Sequence, residues 1–265
     1  MGNDLPYILF LPSYTAAAWA HQKLEPKLMQ NFSKALEEAQ HFATHDYALA
    51  LLQGDLLDHQ KRAQTIQQLA RFTGLSTQFI DTANMRVCNS RFEKELLRDQ
   101  KRTIGRFDSR YLGIDSDFCG SRIQYDPSFD IICGVFSAAF NAYMQTDLKW
   151  NRDEEYHMLA NVWPWDYGKA KNSYLDVGEA LCQVMTKNPS LRVFVASGFF
   201  DLAIPYSATN YTFSHLGIDP SLKENILLHT YKGGHMMYLD PAILPKMKED
   251  LTEFYQKSLR VQKRT

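Results

Sequence analysis

The chain has 265 residues, 45% of them hydrophobic and 22% charged, with 29 basic and 30 acidic side chains and a formal net charge of −1. That is an ordinary globular composition, rich enough for a core, so intrinsic disorder is not the default reading. The charge balance points to neither a nucleic-acid nor a membrane-surface partner, and no apolar run approaches the roughly 18 residues of a membrane span.

The first half, from Leu5 to about Asn188, reads as mostly helical. "DLPYILFLPSYTAAAWAHQKL" opens with Asp4 as N-cap and Pro6 in the first turn, and Pro12 is expected to break or restart the helix. The segment ending at Gln53 carries apolar residues at helical spacing, and Gly54 suits the position after its last turn. "GDLLDH" then reads as a helix start with Asp55 near its positive end. The next helix places Ile66, Leu69, Ala70 and Phe72 on one face before Gly74. Two short helices follow, capped by Ser76 and by Asn89 or Ser90. "FDIICGVFSAAFNAYMQTDLKW" reads as a further helix, although Ile131 to Phe136 alone has the composition of a strand. "YLDVGEALCQVMTKNP" is a helix ended by Asn188-Pro189.

The last segment changes character. Val193 to Ala196 form an apolar run without alternation, as expected of a strand covered on both faces of a parallel sheet. Ile226 to Leu228 repeat the form, and "DPAILPKMKEDLTEFYQKSL" closes the chain as an amphipathic helix. Strand, helix, strand, loop and helix predict an open α/β sheet. Two strands alone make a poor doubly covered sheet, so the sheet is expected to be incomplete in this chain. An uncovered apolar face or an unpaired edge is expected at the strand from Leu191 to Ala196.

Ligands of open α/β sheets bind at the carboxyl ends of the strands. The first strand runs into "SGFFDLAIPY" with Asp201, the second into "YKGGHMMYLDP" with His235. The paired glycines Gly233 and Gly234 permit a tight loop that presents His235 rather than packing it. An acid and a histidine on successive loops at one sheet edge can meet, with Asp201 holding Nδ1 of His235 and Nε2 left as general base. The competing reading makes Asp201 a helix cap and His235 an ordinary polar loop residue.

These two loops, with "WPWDYGKAKNSYLDVGEAL" and more loosely "LPYILFLPSYTAAAWAHQKL", resemble the C-terminal part of serine carboxypeptidases of the α/β-hydrolase fold, bacterial members most. The resemblance implies an incomplete α/β hydrolase, with residues 1–188 a mostly helical insertion or lid and residues 189–265 the C-terminal part of the core. It implies that Asp201 and His235 are the acid and base of a Ser–His–Asp triad that hydrolyses C-terminal peptide bonds in the complete enzyme. No cofactor or metal is implied; the partner is a peptide substrate.

The departure from the family is equally specific. The nucleophile belongs in a G-x-S-x-G elbow ahead of the acid. Ser13, Ser137 and Ser197 all lack the flanking glycines, and the family's Gly-Glu-Ser-Tyr-Gly and Asn-Gly-Gly-Pro-Gly stretches are absent. The chain is therefore expected to be a C-terminal portion of a carboxypeptidase-like protein, inactive alone, with a partner chain as one source of the missing N-terminal half. The alternative is a non-catalytic helical interaction module, a relic of a hydrolase.

Other features are weaker. His41 and His45 lie four apart but lack a third metal ligand, so a solvated helix face is expected. Trp163 and Trp165 in "WPWDYG" read as core or lid packing before substrate pocket. Cys88, Cys119, Cys133 and Cys182 form no C-x-x-C pair, leaving disulfides and free thiols as equal readings. Arg260 to Thr265 read as a solvated basic tail. No export signal is legible, and localisation stays open, with a secreted or periplasmic parent enzyme allowed by the family.

Overall fold

An apolar helix runs through the middle of the N-terminal half. In the computed structural model, which describes residues 3–150, 156–173 and 175–261, this helix, α1, spans Leu5–Ala20 without interruption. Every residue from Leu11 to Ala18 is buried, as expected of a helix that is apolar all round. Pro12 does not break it, contrary to expectation. The packing of α1 against its neighbours outweighs the roughly 3 kcal/mol that an interior proline costs. Asp4 also differs from expectation: its side chain makes no cap hydrogen bond and instead binds Arg86 Nε at 2.7 Å.

Around α1 lie α2 (Pro26–Met29), α3 (Phe32–Phe42), a wide π turn at Ala43–Tyr47, α4 (Ala48–Gln53) and α5 (His59–Thr73). Asn31 caps α3 by accepting from Lys34 N. Gly54 ends α4 with φ 54°, and Gly74 ends α5 with φ 70°. The segment read as a helix start at Gly54 is a single 3-10 turn, Gly54–Leu56. Asp58 caps the true helix by accepting from Gln60 N and Lys61 N. α6 (Thr77–Thr82) is capped by Ser76 as expected, whereas α7 (Asn89–Glu95) begins after Cys88, so neither Asn89 nor Ser90 is its cap. The main core joins these helices through Leu11, Tyr14, Phe42, Phe72 and Phe92.

A two-residue hairpin, β1 (Thr103–Ile104) with β2 (Leu112–Gly113), follows. The loop beyond it is held to α7 by a buried ion pair, Lys94 Nζ to Asp115 Oδ2 at 2.5 Å. α8 covers Pro127–Thr146, settling Ile131–Phe136 as helix. Only its first two residues, Pro127 and Ser128, are buried. Val135, at 70% exposure, and Trp163, also at 70%, lie open to solvent, and Trp165 is likewise exposed. Contrary to expectation, then, the two tryptophans are not buried in a core or under a lid among the described residues.

α9 (Gly178–Lys187), β3 (Val193–Gly198), α10 (Tyr206–Ser214), β4 (Ile226–Tyr231) and α11 (Leu244–Val261) complete the described chain; residues 262–265 of the basic tail lie outside it. β3 and β4 pair in parallel, Val193 opposite Ile226 through Gly198 opposite Tyr231. The two faces of β3 meet different helices, as period-two alternation requires. Val193 packs with Met185 of α9, while Ala196 packs toward Met247 and Phe194 meets Phe254, both on α11. Cover is thin, however. Val193 to Ser197 are only half-buried, short of the full burial expected, because no third strand flanks the pair among the described residues.

The molecule is thus mixed helix and strand, predominantly helical, with two small sheets. Its accessible surface is 16984 Å², against about 12,000 Å² for a compact monomer of 30.6 kDa. No helix among the described residues is long and apolar enough to cross a membrane.

Candidate active site

Asp201 and His235 come together. His235 Nδ1 lies 2.8 Å from Asp201 Oδ2. Asp201 stands three residues beyond the end of β3 and His235 four beyond β4, so the parallel pairing brings both loops to one edge.

The backbone around them leaves no room for side chains. A Cβ on Gly198 would overlap the carbonyl oxygens of Gly233 and Gly234, and one on Gly234 would overlap Phe107 O. The glycines therefore serve close approach between loops. Phe199 N donates to Tyr231 O and Phe200 N to Gly233 O, each at 3.0 Å, which continues the pairing past the strand ends.

Asp201 is 4% exposed and fully engaged. Its Oδ1 accepts from Ala203 N at 2.7 Å and Ile204 N at 2.9 Å, leaving Oδ2 for the imidazole. Asp201 does not cap a helix, since α10 begins at Tyr206 with Pro205 before it; one carboxylate oxygen instead closes the local turn and the other orients the histidine. Leu202 is fully buried in the main helical core, and its carbonyl accepts from Asn89 Nδ2 at 3.2 Å. The acid's loop is thereby fixed to the N-terminal helices.

The third wall comes from residues 105–110, which carried no functional signal in the sequence. His235 N donates to Phe107 O at 2.6 Å, and the Phe107 ring stacks on the imidazole with centroids 5.0 Å apart. Leu202 N donates to Arg106 O, and Ser109 N to Phe200 O. This loop is itself held by Asp126 and by Ser128 Oγ, which accepts from Phe107 N and Asp108 N at 3.0 and 3.1 Å. No periodicity or motif marks such a brace, and the crowding at Gly105, where a Cβ would strike Asp108 O and Ser128, shows only in the fold.

The hydrogen bond to Asp201 and the aspartate's charge raise the His235 pKa, against opposition from burial and from Arg106. The imidazole is one-third exposed, with Nε2 its remaining nitrogen. This arrangement can take a proton at Nε2 and hold the resulting imidazolium. Beside it lies a cleft of about 370 Å³ walled by Phe107 and Met236.

The other sequence candidates stand apart. Ser13 is buried inside α1, Ser137 lies on α8 and Ser197 lies within β3, so none occupies a strand-to-helix elbow. His41 and His45 stack at 4.2 Å, and no group of three metal-capable side chains occurs among the described residues. The four cysteines are free thiols. No family model, curated protein or solved structure matches this chain, so the carboxypeptidase likeness rests on the residues quoted above.

Proposed function

We propose that Asp201 and His235 are the acid and base of a serine-type carboxypeptidase of α/β-hydrolase fold, whose nucleophile lies on a polypeptide segment outside this sequence. The observation carrying this reading is the 2.8 Å hydrogen bond between Asp201 and His235 on loops following adjacent parallel strands. In the complete enzyme, His235 Nε2 takes the hydroxyl proton as the serine oxygen attacks the carbonyl of the C-terminal peptide bond. The same proton passes to the leaving amine, and water then releases the acyl group by the reverse sequence. Asp201 orients the ring and stabilises the imidazolium.

The unmatched surface supports the second part of the proposal. Among the described residues no third strand flanks the β3–β4 pair and Ile131, Val135 and Phe136 of α8 are exposed, so these are the places where neighbouring elements would fit. That segment is either the preceding part of one polypeptide or a partner chain.

The test joins the 265-residue chain to the polypeptide encoded immediately upstream and assays release of the C-terminal residue from a blocked dipeptide. Turnover and fluorophosphonate labelling are expected only in the joined protein, both lost in His235→Ala. Labelling of the 265-residue chain by itself would refute the external nucleophile. The bare face of α8 also favours a second reading, a non-catalytic interaction module; an upstream region without G-x-S-x-G, and no turnover on joining, would establish it.

A further inference from the structure

The cleft beside His235 has a composition that selects its occupant. It encloses about 370 Å³ between residues 107–111, the first turns of α8 and the loop after His235. Phe107, Tyr111, Ile132, Met236 and Leu239 supply its apolar wall. That volume lies in the range of small-molecule sites and holds one amino-acid side chain with room to spare.

Three charged groups line the same space, and they are bound to one another. Arg110 grips the Asp108 carboxylate through Nε at 2.9 Å and Nη2 at 2.7 Å. Its Nη1 reaches Asp240 Oδ2 at 3.2 Å and the Lys232 carbonyl at 3.1 Å. The guanidinium also lies over the Phe200 ring. Its donors are mostly spent on the protein, so it has no free fork for an incoming anion. One cation faces two carboxylates, and the surplus is negative. Among the described residues Asp240 accepts from Arg110 at Oδ2 and from Ala242 N at Oδ1, which leaves each oxygen further acceptor capacity. Of the nearby cations, Arg106 lies over the Phe107 ring and Lys232 over the Phe32 ring, and neither is part of the lining.

We propose that this cleft is a subsite for an apolar side chain tipped with a cation: a basic amino-acid side chain, or an aromatic amidine that mimics one. The stem or ring lies against Phe107, Ile132 and Met236, and the cation meets Asp240. An acidic side chain meets two carboxylates and a committed guanidinium, so it is rejected. Phe107 walls the cleft and stacks on His235, and Met236 follows His235 in the chain, so the occupant sits one residue away from the imidazole, which is not itself part of the lining. The role as a substrate subsite rests on the hydrolase reading above; the ligand class does not.

The experiment titrates the full 265-residue chain with benzamidine, its neutral isostere benzamide, and benzoate, by two-dimensional NMR at low ionic strength. Benzamidine is expected to shift the Phe107 and Met236 amides and to bind about tenfold or more tightly than benzamide. Asp240→Asn should remove that preference while retaining the apolar contact. Ile132→Trp, which leaves the charge network untouched, should fill the cleft and abolish binding of both. Equal affinity for benzamidine and benzamide, a preference for benzoate, or no binding by the folded chain overturns the proposal. Benzamidine binding without His235-dependent turnover in the joined protein leaves the subsite standing and removes the hydrolase. Turnover without benzamidine binding does the reverse.

Discussion

Phe107 holds His235 in two ways: its carbonyl accepts the histidine N–H at 2.6 Å, and its ring stacks on the imidazole at an interplanar angle of 22°. The first contact belongs to the backbone and survives substitution. The second belongs to the ring alone. Phe107→Ala is therefore expected to cost about 1–3 kcal/mol by urea denaturation and to broaden the His235 ring resonances. A loss below a few tenths of a kcal/mol would show that the stack contributes nothing.

Because hydrogen bonding to Asp201 raises the His235 pKa, the imidazole should titrate above its ordinary value of about 6.5. In Asp201→Asn the raising influences vanish while burial and Arg106 remain, so the pKa should fall below that value. The linkage sign follows. The pair's contribution to stability is complete below about pH 6.5 and declines as pH rises through the folded-state pKa. NMR titration of the ring gives both pKa values. A higher pKa in Asp201→Asn than in the parent would contradict the assigned cause.

Glu93 is 1% exposed, its Oε1 has no hydrogen-bond partner among the described residues, and its pKa is raised to about 8, first by burial and then by Asp126, against Arg106. Below pH 4 the carboxyl is protonated in both folded and unfolded chains. As pH rises the unfolded chain releases its proton first, so folded stability falls until about pH 8 and then levels. Glu93→Gln should thus match the parent near pH 4 and exceed it by roughly 2–5 kcal/mol at pH 9. Chemical denaturation at the two pH values measures this; an equal difference at both would exclude titration as the origin.

Lys94 and Asp115 form an ion pair in which both side chains are essentially inaccessible. Lys94→Met leaves the Asp115 charge buried without its partner and is expected to cost about 3–5 kcal/mol. Lys94→Met combined with Asp115→Leu should recover most of that loss. Additive losses in the double variant would show that the two groups do not act as a pair.

Gly198→Ala places a methyl group against the carbonyls of Gly233 and Gly234. The loops must separate, at a cost of about 1–3 kcal/mol, and the His235 Nδ1–H resonance should lose its protection as the bond to Asp201 opens. An unchanged His235 signal in a fully stable variant would mean that the loops tolerate separation.

Local chemistry made much of this legible in the sequence. Gly74 and Ser76 act at the helix ends where their conformational and capping preferences place them, and the two apolar runs become β3 and β4. The meeting of Asp201 and His235 follows from the same source. Two parallel neighbours send their loops to one edge, and a glycine pair lets those loops touch. Even the thin sheet was visible, because an unalternating apolar run calls for neighbours, and among the described residues β3 has β4 alone. Tertiary packing decided the rest. Pro12 lies in an unbroken helix because burial of α1 outweighs a local penalty, and the capping preference of Asp4 yields to its ion pair with Arg86. Residues 105–110 become the wall behind His235, and Arg110 joins its neighbour Asp108 to the sequence-distant Asp240 in one cleft. Contacts between residues so far apart along the chain impose no period and no motif, so only the folded arrangement reveals them.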